Sequence, residues 1–298
     1  MYIRDCVEKQ IFCKGMDMDS NSFQLAWVTD IHLNFLEPEP LEAFLSMLEK
    51  RFWDALLITG DIAEAVDCSY FLKMMQTRLK RPIYFVLGNH DYYYGSLEKV
   101  RSSIYHLHME NLFLNWLPCS GVVHLTADTA LVGHDGWADA RYGDFINSIV
   151  IMNDHLLVKE LADCFHEEEK TALQKKLQSL GDEVAEYFRH ILPKALERYE
   201  HVILATHIPP FPEICVFEEG MDENDWLPHL CCKAVGEELI HIMEQYPHNQ
   251  LTVLCGHTHS FQCKSIIPNI QVFSGSAEYG SPELQKIFDI RYCTLNYA

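Results

Sequence analysis

Eight residues of this sequence have the types and the placement that metal chemistry needs. They stand in five short motifs: Asp30-x-His32, Gly60-Asp61, Gly88-Asn89-His90-Asp91, His207 and Gly256-His257-x-His259. Carboxylate and amide oxygens are hard ligands and imidazole is borderline. With no thiolate among them, the set suits Zn, Fe, Mn or a similar divalent ion better than a soft-metal site. Eight donors are too many for one tetrahedral ion. Two ions about 3.5–4 Å apart would use them, and a carboxylate can bridge such a pair. Singly, each motif says little: an Asp at a strand end is usually a turn or cap residue, and a His before Pro209-Pro210 is usually a loop residue. Together they meet the demand that roles be complete.

Each motif closes an apolar run. Gln24–Thr29, Ala55–Thr59, Ile83–Leu87, Val202–Thr206 and Leu251–Cys255 read as strands. Leu41, Phe44, Leu45, Leu48 and Phe52 recur at helical spacing, as do Phe71, Met74, Met75 and Leu79, then Leu97, Val100 and Ile104. Strand and helix in alternation imply an α/β fold with a parallel sheet. Such sheets bind ligands at the carboxyl ends of their strands, where the motifs lie. Gly60, Gly88 and Gly256 supply tight turns there. Val122–Leu125 and Ala130–Gly133 form a β pair, and 135–144 is a polar, glycine-punctuated loop. Leu173, Leu177, Leu180, Val184, Tyr187 and Ile191 predict one long helix with a break or kink at Gly181. A loop over 211–230, a helix through Val235, Leu239, Ile240 and Met243, and strands Ile270–Phe273 and Gln285–Arg291 complete the chain. The simplest organisation is one domain over 1–298 with a helical insertion at about 145–195.

The chain has 298 residues, 48% apolar and 22% charged, with a formal net charge of −20. That balance argues against a general nucleic-acid binder, which needs Lys and Arg patches. Residues 1–22 lack the apolar core of a signal peptide and read as an edge strand or an extension. No apolar run reaches the roughly 18 residues of a membrane span. Eleven cysteines form no disulfide pattern. They read as mostly packing residues in a reducing, cytoplasmic setting.

In order and spacing the five motifs resemble the signature of the calcineurin-like metallophosphoesterases, from Asp30 to His259. The resemblance implies a four-layer α-β-β-α sandwich with a dinuclear centre. It implies that Asp30, His32 and His259 hold one divalent metal, that Asn89, His207 and His257 hold the other, and that Asp61 bridges. The implied nucleophile is a hydroxide between the metals, attacking phosphorus in line. His90 would face the substrate as general acid or charge stabiliser, and Asp91 would orient His90 or serve the turn. Protein phosphatases of this superfamily follow Gly-Asp with Asp-Arg-Gly and have Gly-Asn-His-Glu. Here Ile62-Ala63-Glu64-Ala65 follows Asp61, and Asp91 ends the third motif.

The function expected is therefore hydrolysis of a phosphomonoester or phosphodiester of a small molecule. A nuclease, a protein phosphatase and a non-catalytic scaffold are the alternatives, and the presence of every expected ligand weighs against the scaffold. Tyr92 and its neighbours Tyr93 and Tyr94 are candidates to line the cleft or to pack the loop. Arg141 is a candidate for a substrate phosphate or a surface ion pair, and Trp137 and Phe211 for cleft walls. The loop at 135–144, the insertion and the 211–230 loop are the expected specificity elements. His106, His108, His124, His155, His166, His190, His201, His229, His241 and His248 read as surface or packing residues.

Overall fold

Side chains alternate along β1 (Phe23–Val28): Leu25 and Trp27 enter one apolar layer, Ala26 and Val28 another. A strand apolar on both faces must be covered on both. The computed structural model, which describes residues 23–166, 169–217 and 220–290, shows how. β1 pairs in parallel with β2 (Ala55–Thr59), β2 with β3 (Ile83–Val86), and β3 with β4 (Leu114–Trp116). The antiparallel strand β11 (Lys286–Ile290) lies at the other edge of this sheet. The second sheet runs β5 (Val123–His124), β6 (Thr129–Gly133), β7 (His201–Ala205), β8 (Gln250–Cys255), β10 (Ile270–Ser274), β9 (Gln262–Ile267). Its four central strands are parallel and its two edges antiparallel.

Three buried layers hold the molecule together. Leu25, Trp27, Leu57 and Val86 of the first sheet meet Leu131, Ile203, Leu254 and Phe273 of the second. The first sheet's other face packs on α1 (Pro38–Lys50), α2 (Cys68–Leu79) and α3 (Leu97–Glu110) through Leu45, Leu48, Leu72, Met75 and Ile104. The second sheet's other face packs on α6 (Thr171–Leu196) and α8 (Lys233–Gln245) through Val184, Phe188, Leu192, Leu239 and Met243. The order is helices, sheet, sheet, helices, the expected four-layer α/β sandwich.

Several expectations need correction. The stretch taken as an insertion divides: α6 is an outer layer of the sandwich, while α4 (Asp154–Leu157) and α5 (Lys159–Ala162) pack beside the third motif, Tyr94 N–H donating to Leu157 O. Gly181 does not break α6. Instead, a Cβ there would stand 2.5 Å from the Asp139 Cβ, so glycine allows close packing. Strands β4 and β9 and the helix α7 (Glu223–Leu230) carried too little periodicity to be read. Seven of the described cysteines are free, as a packing role requires. Residues 1–22 and Arg291 lie outside the described residues. Among the described residues no helix is long and apolar enough to cross a membrane.

Candidate active site

The strand-end turns share an unusual backbone. Asp30, His32, Asp61, His257 and His259 all have positive φ, between 40° and 70°. For residues other than glycine this region costs about 1–2 kcal/mol each. Such strain persists only where the surroundings over-determine it, and it gathers at functional sites. Cross-turn bonds supply that determination: Asp30 N–H donates to Gly60 O at 3.1 Å, His32 N–H to Asp61 O at 3.0 Å, and His257 N–H to Asp30 Oδ1 at 3.0 Å.

Two donor groups result, sharing Asp61. In one, His32 Nε2 lies 3.4 Å from His259 Nε2 and 3.7 Å from Asp61 Oδ2, and His259 Nε2 lies 3.3 Å from Asp30 Oδ1. One ligand atom from each of Asp30, His32, Asp61 and His259 falls within 4.8 Å of the others. In the second group, Asn89 Oδ1 lies 2.9 Å from His207 Nε2 and 3.0 Å from His257 Nδ1, with Asp61 Oδ1 3.4 Å from His207 Nε2. Here the tautomers are fixed from behind. His207 Nδ1 faces Thr59 O at 2.9 Å and His257 Nε2 faces His229 O at 3.0 Å. A carbonyl only accepts, so those nitrogens carry the protons. Burial pushes His207 down to about 4 and lowers His257, so both rings are neutral near pH 7. Their inward nitrogens are then bare lone pairs, directed at the Asn89 and Asp61 oxygens. A convergence of lone pairs with no proton between them fits a cation.

The first group gives the same answer electrostatically. Burial, then the charges of Asp30 and Asp91, push Asp61 well above the carboxylate range. Burial raises Asp30 as well, but the hydrogen bond from His259, the charges of His207 and His259 and a bond from Thr29 outweigh it and hold Asp30 low. The two buried carboxylates cannot both ionise cheaply without a positive charge between them.

His90 stands at the mouth. Its side chain is 14% exposed, with Nε2 4.0 Å from Asp61 Oδ2. Burial lowers it to about 4. Asp91 does not orient it. The Asp91 carboxylate accepts from the Ile62, Ala63 and Gly88 amides at 2.8–3.0 Å, and so ties the second turn to the third. The expected substrate contacts are also displaced. Tyr92 is fully buried and donates to Asp135 Oδ2 at 2.8 Å. Trp137 is buried edge-on against Tyr92, and Phe211 is buried in the α6–α8 layer. Arg141 is held by Asp139 at 2.9 Å and Asp182 at 2.7 Å. The 135–144 loop opens on a buried residue, Asp135, which accepts from Leu87 N–H and Trp116 Nε1, so its beginning is structural.

Other residues take those places. Tyr279, between β10 and β11, is half exposed. Its ring lies 4.5 Å from His32 and 5.2 Å from His259, and its hydroxyl lies 3.4 Å from His90 Nε2. Phe35, also half exposed, meets it edge-on at 5.5 Å. Asp154 reaches Asn89, and His229 lends its carbonyl to His257. No sequence signal marks these four, because each reaches the site from a segment without a motif.

The calcineurin-like phosphoesterase family model matches residues 23–261, most of the chain. This chain belongs to that family. The calcineurin-like phosphoesterase fold recurs in phosphopantetheinyl hydrolase (PptH) from Mycobacterium tuberculosis, with 14% identity and a TM-score of 0.60 over 86% of this chain and 90% of that one. A dimetal phosphatase from Danio rerio is similar too, with 11% identity and a TM-score of 0.54 over 85% of this chain and 87% of that one. A comparison with the curated proteins finds no match in sequence.

Proposed function

We propose that this calcineurin-like phosphoesterase is a two-metal phosphohydrolase that cleaves a phosphomonoester or phosphodiester of a small molecule. The observation that carries the reading is Asp61, whose two oxygens face the two donor groups, Oδ1 toward His207 and Oδ2 toward His32. Asp30, His32, His259 and Asp61 would hold one divalent ion, and Asn89, His207, His257 and Asp61 the other. When bound, the ions supply Lewis-acid chemistry: they activate water and neutralise phosphoryl charge.

The chain's own residues do the rest. His90 faces the cleft beside the shared carboxylate and can hold a proton on Nε2 toward the leaving oxygen. It is neutral near pH 7 because of burial, and an arriving phosphate, being negative, raises its proton affinity. Phe35 and Tyr279 offer exposed ring surface beside His32, where the organic part of a small ester can rest. The acidic chain and the placement of Arg141 in ion pairs favour a small substrate over a nucleic acid.

The test is hydrolysis of p-nitrophenyl phosphate and bis-p-nitrophenyl phosphate by metal-stripped protein, with Mn, Zn, Fe or Mg restored, against an Asn89→Ala control. Metal-dependent turnover that the control loses is expected, and the preferred ester divides the substrate space. A protein that neither binds metal nor turns over either ester overturns the reading.

A further inference from the structure

Asn89 presents a choice that its own chemistry does not settle. One end of its amide only accepts and the other only donates. Toward the centre it meets His207 Nε2 and His257 Nδ1, at 2.9 and 3.0 Å. Both nitrogens are bare, because Thr59 O and His229 O hold the ring protons on the far side. Two bare nitrogens would rather receive N–H than face an oxygen. Left to these neighbours, the amide would turn its Nδ2 inward and present hydrogens where a cation should sit.

The opposite side decides the matter. Asn89 Nδ2 donates to Asp154 Oδ1 at 2.8 Å and to the Tyr93 hydroxyl at 3.0 Å, and that hydroxyl donates to the same Asp154 oxygen at 2.6 Å. All three side chains are buried. The triangle uses every hydrogen available: two from the amide and one from the phenol. Turning the amide over would set Asn89 Oδ1 against Asp154 Oδ1, two buried acceptors with no proton between them, at a cost that buried polar groups do not tolerate. The Tyr93 hydroxyl can donate or accept, so it would adapt to either orientation. Asp154 is the member that cannot.

We propose that Asp154 is a positioning residue for the metal centre: it locks the Asn89 amide with Oδ1 inward, so that Asn89 is a ready ligand before any ion arrives. This rests on the two-metal reading above. It gives a role to α4, whose first residue is Asp154. That segment, which lies in the helical insertion expected from the sequence, brings a carboxylate to the back of a ligand 65 residues away.

The test is calorimetric Mn2+ titration of the full chain, wild type against Asp154→Ala, Asp154→Asn and Tyr93→Phe, with the unfolding midpoint of each metal-free protein measured alongside. Partners behind a ligand typically contribute about 10–100-fold in metal affinity. Asp154→Ala should therefore weaken one of two Mn2+ sites by about that factor and leave the other near wild type. Asp154→Asn keeps an acceptor oxygen but loses the charge, and should stay within a few-fold of wild type. Tyr93→Phe should weaken the same site only a few-fold. Equal losses in Asp154→Asn and Asp154→Ala would overturn the proposal in favour of simple charge attraction. Two wild-type Mn2+ affinities in Asp154→Ala, with only its unfolding midpoint lowered, would overturn it in favour of a packing role. Wild-type protein that takes up no Mn2+ would remove the two-metal reading and this proposal with it, an outcome distinct from the other two.

Discussion

Asp61 Oδ2 and His90 Nε2 lie 4.0 Å apart, yet the two residues do different jobs, and substitution should separate them. Asp61 is buried and shared between both donor groups. Asp61→Asn keeps one carbonyl oxygen, puts an amide N–H on the other side, and so repels one of the two ions. We expect it to bind at most one Mn2+ tightly and to lose at least about a hundredfold in kcat/KM, since even partners behind a ligand contribute 10–100-fold. The His90 ring is not one of the donors in either group, although its backbone N–H donates to Asp61 Oδ1 at 2.9 Å. His90→Gln should keep both Mn2+ ions and lose roughly 10²–10⁴ in kcat, the usual worth of a positioned acid or base. Metal content by mass spectrometry together with steady-state kinetics checks both. Loss of metal from the His90 variant would make His90 a ligand and overturn its assignment.

Strands bring these residues together, and the turn at the end of β8 shows how tightly. Gly256 is not among the residues with positive φ. Its need is space: a Cβ there would collide with the Asp30 carboxylate and the Thr29 hydroxyl. Gly60 differs, with φ +94°, and there the backbone itself requires glycine. Gly256→Ala is therefore expected to cost about 1–3 kcal/mol of metal-free stability, as overpacking of a tight site does. It should also weaken Mn2+ binding, because Asp30 must move. Urea unfolding and Mn2+ titration of this variant check the pair of effects. An unchanged Mn2+ affinity would mean that the turn yields without moving the ligand.

The sandwich as a whole buries titratable groups far from the centre, which gives it a pH dependence of its own. His201, at the start of β7, bonds Thr252 Oγ1 at 2.9 Å, and burial lowers it to about 4. The unfolded chain holds such a ring near its ordinary value of about 6.5. The unfolded state therefore binds more protons between those values, and the stability present above pH 6.5 is lost as pH falls toward 4. From pH 7 to pH 5 this one ring should remove about 2 kcal/mol. His201→Gln lacks the effect, so its stability relative to wild type should rise by that amount over the same interval. Urea unfolding at the two pH values measures it, and a constant difference would mean that the ring charges freely in the folded state. Only the difference is diagnostic, because buried carboxylates such as Asp91, raised by burial to about 7 and partly relieved by backbone amides, titrate in the opposite sense.

The sequence by itself determined the alternation of strands and helices, the carboxyl-end placement of the five motifs, and the identity of the donors. It could do so because apolar period and turn chemistry are local, and the motifs are contiguous. The resemblance implied which donors group together, with Asp61 common to both groups, and the tertiary structure supplied the distances between them. The tertiary structure alone decided that Tyr92, Trp137 and Arg141 face inward or pair with carboxylates, while Phe35 and Tyr279 form the rim. It decided that Asp91 ties two turns together rather than orienting His90. Its most specific contribution is the set of groups behind the ligands, Thr59 O, His229 O and Asp154. These act through a carbonyl that every residue carries, or through a side chain 65 positions away from its partner. Nothing in a residue's type announces that its backbone oxygen will fix another residue's tautomer. Only the fold brings the two within hydrogen-bonding distance.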